Sequence, residues 1–102
     1  MMRLVKAARL EEIPPGTARA VEIEGRPIAL FNVEGTIHAL DGLCPHQGGP
    51  LGEGTLSGSV VMCPWHFWEF DVVKGHAPDL PDAVIRKYPV KLHDGDILLE
   101  IE

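Results

Sequence analysis

Residues 44–66 read CPHQGGPLGEGTLSGSVVMCPWH, and this stretch decides the fold and the chemistry of the chain. Cys44 and His46 open it, and Cys63 and His66 close it, with sixteen residues between His46 and Cys63. Each of these two Cys–His pairs, called clips below, offers one thiol and one imidazole. Because sulfur and imidazole nitrogen are soft or borderline ligands, four such donors in two clips can surround a metal centre.

Turn-forming residues surround both clips. A proline directly follows each cysteine, which fixes one backbone dihedral and removes one N–H donor, so the ligands are partly aimed before a metal arrives. Gly48 and Gly49 follow the first clip, and glycine lets backbone amides approach a sulfur atom because no side chain intervenes. Such amide hydrogen bonds tune the potential of a metal–sulfur centre.

Other uses of these residues remain open on the sequence alone. A set of two cysteines and two histidines also suits structural zinc, although common zinc fingers pair two cysteines in one clip and two histidines in the other. Cys44 and Cys63 can instead form a disulfide or stay as two buried thiols, with the histidines incidental. A metal that only holds the two loops together would make the chain an interaction module.

The pattern Cys-x-His followed by Cys-x-x-His resembles the Rieske family at all four ligand positions, Cys44, His46, Cys63 and His66. The resemblance continues through residues 48–51, residues 70–71 and the loop of residues 75–81. It implies one Rieske-type 2Fe-2S cluster, with both cysteines on one iron and both histidines on the other. It also implies that electrons enter and leave over the histidine edge.

The resemblance further indicates a low midpoint potential within the Rieske range of about −150 to +300 mV. High-potential members carry a disulfide between the two ligand loops, at positions that are Gly49 and Trp65 here. They also donate hydrogen bonds from a serine and a tyrosine, where this chain has Trp68 and Phe70. All four departures remove stabilisation from the more negative, reduced state.

The remaining sequence predicts one all-β domain. The chain has 102 residues, which fits a single domain with a small core, and its 11 glycines and 9 prolines are spread along its length. Polar and apolar residues alternate in short runs between turn signals. The expected strands cover residues 19–24, 27–33, 36–40, 59–63, 67–71, 84–92 and 97–101.

We expect a Rieske-type antiparallel β-sandwich of short strands with a cluster-binding lobe formed by two loops. The basal sandwich should comprise residues 1–40 and 72–102, and the lobe residues 41–71. Residues 41–58 and 74–81 are rich in glycine and proline and are expected to be loops. The only stretch with helical spacing ends at Glu12, before Pro14 and Pro15.

Charge and composition narrow the classes of partner. The formal net charge of −6 argues against nucleic acid and favours a partner with a basic surface. Asp41, Glu53, Glu69 and Asp71 lie close to the clips and are candidates for docking. No apolar run approaches the roughly 20 residues of a membrane helix, and no secretory leader is evident, so we expect a cytoplasmic chain with no membrane partner.

These observations predict an electron carrier rather than an enzyme, with no catalytic residue. The resemblance implies a ferredoxin that acts as a monomer, taking electrons from a flavin-dependent ferredoxin reductase and delivering them to a terminal Rieske oxygenase. The alternative is the small subunit of a nitrite reductase, bound to its large subunit. His38, His76 and His93 are interpreted as ordinary histidines rather than ligands of a second iron site.

Overall fold

The computed structural model describes residues 3–43, 48–65, 68–78 and 80–101, and this part of the chain is almost entirely β-strand. Two short 3-10 turns, Leu10–Glu12 and Leu51–Glu53, are the only helical elements in it. The strands are β1 (Arg3–Arg9), β2 (Ala18–Ile23), β3 (Arg26–Val33), β4 (Thr36–Asp41), β5 (Thr55–Ser57), β6 (Val60–Met62), β7 (Glu69–Asp71), β8 (His76–Ala77), β9 (Leu80–Val84), β10 (Lys87–Tyr88), β11 (Val90–His93) and β12 (Asp96–Ile101).

The strands form three antiparallel sheets, which confirms the all-β prediction. A three-stranded sheet has the order β1-β12-β11, a four-stranded sheet the order β10-β4-β3-β2, and a five-stranded sheet the order β5-β6-β7-β8-β9. The five-stranded sheet runs from Thr55 to Val84 and therefore crosses the boundary expected near residue 71. The division into a basal part and a lobe stays a prediction.

Two-residue turns connect β2 to β3 and β3 to β4, as the sequence predicts. Glu24 and Gly25 have φ values of 51° and 81°, and Glu34 and Gly35 have values of 52° and 95°. Positive φ at both central residues is the geometry whose twist matches the flanking strands, and glycine adopts it without strain. The resulting meander brings β4 to the start of the first ligand loop.

The N-terminal stretch is a strand, so the expectation of helical spacing up to Glu12 was wrong. β1 pairs with β12 over its whole length, with a register shift between Lys6 and Ala8, and only residues 10–12 form a helical turn. Pairing with a strand ninety residues away overrides the weak local preference for a helix, since a helix would leave that edge of β12 unpaired.

Two further expectations about residues 74–92 were wrong. The expected loop contains β8 and the start of β9, and the expected single strand from residue 84 to residue 92 is interrupted twice. The chain changes sheets here, because β10 pairs with β4 whereas β11 pairs with β12. Pro89 lies at the crossing, where its missing N–H cannot interrupt either ladder.

The four-stranded sheet is the central layer between two cores. Successive side chains of β3 alternate, so that Ile28 and Leu30 pack with β12, whereas Ala29 and Phe31 pack with the five-stranded sheet. All four are fully buried. The second core includes Cys63, which places this predicted ligand against the body of the molecule.

Candidate metal centre

Of the four predicted ligands, Cys63 lies within the described residues, whereas Cys44, His46 and His66 lie outside them. Cys63 directly follows β6, and its side chain is fully buried in the core that contains Val61 and Phe70. A thiol in this position has a fixed place at the end of a strand. Such a rigid support is what a metal ligand requires.

Backbone hydrogen bonds close the root of the second ligand loop. The Cys63 N–H donates to the Trp68 carbonyl at 2.7 Å, one step beyond the β6–β7 pair formed by Met62 and Glu69. This bond fixes both ends of the segment whose sequence contains His66. The loop therefore extends from a hairpin rather than from a flexible connection.

The root of the first ligand loop is closed in a similar way. Leu43 and Pro50 form an isolated antiparallel bridge, and the Leu51 N–H donates to the Gly42 carbonyl at 2.9 Å. The Gly42 N–H donates in turn to the Pro27 carbonyl at 3.0 Å. The two ends of the segment that contains Cys44 and His46 are thus tied to each other and to β3.

Gly42 is a functional position that sequence reasoning missed. A Cβ on this residue would lie 2.8 Å from both the Ile28 nitrogen and the Pro27 carbonyl carbon, which are backbone atoms that cannot give way easily. Only glycine therefore allows the loop root to approach β3. A single glycine in a stretch rich in glycine and proline gives no local signal of such a contact.

The two ligand loops meet at Gly49. A Cβ built on this buried residue would lie 2.7 Å from the Cys63 sulfur and 3.0 Å from the Trp65 Cβ. The backbone of the first loop consequently passes directly against the thiol of the second. A site shared by the two loops requires this contact.

Comparison with known proteins identifies the family. The profile of the Rieske [2Fe-2S] domain matches residues 3–89. The chain belongs to the Rieske [2Fe-2S] family. A ferredoxin component of naphthalene 1,2-dioxygenase/salicylate 5-hydroxylase systems from a Ralstonia species is 39% identical over 99 residues, which cover 96% of this chain and 95% of that one. The ferredoxin component of the Pseudomonas aeruginosa naphthalene 1,2-dioxygenase system is 38% identical, over 95% and 94% of the two chains.

Solved structures agree with this assignment. The Sphingomonas yanoikuyae B1 ferredoxin superposes with a TM-score of 0.89 at 28% identity, over 98% of this chain and all of that chain. A putative NADH-dependent nitrite reductase small subunit from Mycobacterium tuberculosis has a TM-score of 0.87, over 100% of this chain and 97% of the other, but only 23% identity. That second likeness shows the shared fold alone.

The described residues fit the 2Fe-2S cluster that the Rieske family implies. The buried Cys63 sulfur would supply one soft ligand at the meeting point of the two loops. Gly49 leaves room beside that sulfur because it has no side chain, and the amide-rich turn of a glycine-containing loop is the environment in which cluster sulfurs are commonly bound.

Aromatic side chains lie near Cys63, and the two positions at which the sequence analysis noted missing hydroxyl donors are Trp68 and Phe70. The rings of Trp68 and Phe70 lie 6.1 Å apart, and Phe70 is fully buried in the same core as Cys63. Trp65 is 50% exposed. Gly49 and Trp65, which replace the disulfide of high-potential members, are indeed neighbours across the two loops.

A hydrogen bond anchors the strand that leads into the first ligand loop. The buried Tyr88 hydroxyl donates to the Asp41 carboxylate, and the Arg86 guanidinium lies over the Tyr88 ring at 4.9 Å from its centre. Burial raises the pKa of Tyr88, and the contact with Asp41 raises it further. The hydroxyl therefore stays protonated and remains a donor to Asp41.

The other three histidines lie in three different environments. His38 is partly buried, and its pKa is lowered by burial and by the charge of Lys87. The His76 ring nitrogen lies 2.9 Å from the Ala77 carbonyl, and His93 is largely exposed beside Asp94. Within the part of the chain that the structure describes, no group of three or more His, Cys, Asp or Glu side chains forms a further metal site.

Proposed function

We propose that this chain is a one-electron carrier that binds a single Rieske 2Fe-2S cluster through Cys44, His46, Cys63 and His66. The observation that carries the proposal is the contact of Gly49 with the Cys63 sulfur, because it joins the two loops that hold the four residues. When bound, the cluster accepts and releases one electron at a time. The two relatives named above, at 39% and 38% identity, are ferredoxin components, which supports a carrier rather than a catalyst.

The chain's own residues hold the site still during electron transfer. The bond from the Cys63 N–H to the Trp68 carbonyl and the Leu43–Pro50 bridge fix the roots of both loops. A site that does not rearrange when its charge changes transfers electrons with little reorganisation. The core behind Cys63 also excludes water from the inner side of the site.

The partners in this proposal are a flavin-dependent ferredoxin reductase, which supplies electrons, and a terminal Rieske oxygenase, which receives them. A carbazole 1,9a-dioxygenase ferredoxin in complex with its oxygenase superposes on this chain with a TM-score of 0.85 at 31% identity, over 94% of this chain and 91% of that one. This likeness supports an oxygenase as the electron acceptor, and the proposal places the transfer in the cytoplasm. No helix in the described ranges is long and apolar enough to cross a membrane.

Two of the four acidic docking candidates have structural roles instead. Asp41 accepts the Tyr88 hydroxyl, and Asp71 accepts the backbone N–H groups of Val73 and Lys74. Glu53 and Glu69 are exposed and remain candidates for contact with a basic partner surface.

A test of docking compares two variants, Glu53→Gln and Glu69→Gln, with the control Glu22→Gln on the exposed face of β2. We expect the first two changes to slow electron transfer to the oxygenase several-fold at low ionic strength without changing the midpoint potential. Equal rates for all three variants at every salt concentration would show that these carboxylates do not take part.

Metal analysis of anaerobically purified protein tests the main proposal. The expected result is about two iron atoms and two acid-labile sulfides per chain, visible absorption, and the EPR signal of a reduced Rieske centre. His66→Ala should lose these signals, whereas the matched control His76→Ala should keep them. Zinc in place of iron, or protein without acid-labile sulfide, would refute the proposal.

A further inference from the structure

Trp65 is a large aromatic side chain that is only half buried. It lies two residues after Cys63 and is 50% exposed, whereas Leu51 and Phe70 in the core around Cys63 are fully buried. An indole that is half in water gains only part of the free energy that burial would provide. Trp65 therefore contributes less to the core than a fully buried aromatic side chain would.

The Cβ and Cγ atoms of Trp65 lie at the seam between the two ligand loops, that is, at the contact between Gly49 and the Cys63 sulfur. The missing methyl group of Gly49 would lie 3.0 Å from the Trp65 Cβ and Cγ and 2.7 Å from the Cys63 sulfur. Gly49 is nevertheless buried, although it has no side chain of its own. Trp65 thus stands next to the thiol on the side of the seam that faces solvent.

The inner side of Cys63 is closed by other groups. Its N–H is bonded to the Trp68 carbonyl, and Val61 and Phe70 pack in the same core. Among the described residues, these groups close the inner side of the sulfur to water and leave the outer side as the direction of approach. On that side, within the described ranges, Trp65 is a large apolar side chain next to Gly49, where the two ligand loops meet.

We propose that Trp65 is a positioning residue that shields the Cys63 sulfur from water and thereby keeps the midpoint potential low and the cluster intact. The inference rests on the proposed function, in which Cys63 is a cluster ligand. Two thiolates and two neutral imidazoles leave the oxidised centre formally neutral, so reduction adds a net negative charge. Water near a sulfur ligand stabilises that charge, and its exclusion disfavours reduction.

The test compares Trp65→Ala with Trp65→Phe, which restores an aromatic ring. Leu4→Ala is the control, because Leu4 is an apolar residue of similar exposure, at 48%, on β1 and therefore outside both ligand loops. Trp65→Ala should shift the midpoint to more positive values in protein-film voltammetry and should lose its visible absorption several-fold faster in air. Trp65→Phe should recover most of both properties, and Leu4→Ala should match the unaltered chain.

The outcomes separate this inference from the proposed function. Unaltered protein without iron and sulfide would refute the electron-carrier proposal itself. A normal cluster in the unaltered protein, together with an unchanged midpoint and lifetime in Trp65→Ala, would overturn only the shielding role. If Trp65→Ala does not load a cluster, the same measurements on Trp65→Val decide, and an unchanged midpoint there overturns the inference.

Discussion

Replacing Gly49 by alanine places one methyl group where the two ligand loops touch. Its Cβ would lie 2.7 Å from the Cys63 sulfur. Favourable contacts between heavy atoms lie at about 3.5–4.0 Å, so the sulfur or the first loop has to move by about 0.8 Å. Metal–ligand distances in proteins hold to within about 0.2 Å, and the required movement exceeds that tolerance. We therefore expect Gly49→Ala to lose its cluster more readily than it loses its fold.

The size of the effect follows from packing energies. Adding a methylene to a well-packed interior costs about 1–3 kcal/mol. At about 1.4 kcal/mol per factor of ten, this cost corresponds to about 5- to 140-fold weaker retention of the cluster. The neighbouring Trp65 offers partial relief because its side chain is half exposed, whereas Cys63 is fully buried and must take up the strain.

The assay is the loss of visible absorption during incubation with an iron chelator, followed in parallel with urea unfolding. Gly58→Ala is the matched control: its φ is +61°, so alanine is strained there, but a Cβ meets nothing within 4 Å. This control should lower the free energy of unfolding by about 1–2 kcal/mol and keep the cluster. Wild-type iron content and wild-type loss rate in Gly49→Ala would refute the reasoning.

Four further predictions follow from other parts of the structure. Gly42→Ala should detach the first loop root from β3 and reduce iron content per chain, and full loading would contradict this. Asn32→Ala removes a buried hydrogen bond to the Ile13 carbonyl and a partly buried one from the Gly35 N–H. It should lower the free energy of unfolding in urea by about 2–4 kcal/mol, and a loss below about 0.5 kcal/mol would refute this. Burial lowers the pKa of His38, so the contribution of its neutral form to stability is complete above about pH 6.5 and is lost as pH falls through the lower pKa of the folded state. The urea midpoint of the unaltered chain should therefore fall more steeply between pH 7 and pH 5 than that of His38→Gln. Since Trp68 and Phe70 provide no hydroxyl donor, film voltammetry should give a midpoint near the bottom of the Rieske range, and a clearly positive value at neutral pH would disagree.

The sequence predicts the elements whose signals are local. The alternation in β2 and β3 and the Glu-Gly pairs between strands fix both the strands and their turns, since these depend on neighbours in the chain. β1 was missed because its identity depends on pairing with β12. Likewise, the division of residues 80–93 among three strands depends on which sheet each part joins, and no local pattern records that choice.

The same distinction applies to the candidate site. The spacing of the cysteines and histidines is enough to predict the ligand set, and three of those ligands lie outside the described residues. The resemblance to the family predicts that Gly49 and Trp65 lie next to each other, and the geometry agrees. The close approach of Gly42 to β3 involves residues brought together only by folding, so it could not be predicted.

The alternation along β3 has a consequence for attempts to dissect this molecule. Ala29 and Phe31 point into the core behind Cys63, whereas Ile28 and Leu30 point into the opposite core. A truncated chain without residues 51–85 would expose Ala29 and Phe31 as an apolar surface patch and would tend to aggregate. Because β3 contributes to both cores, binding of the cluster should slow amide hydrogen exchange along the whole of this strand, including positions that face away from the metal.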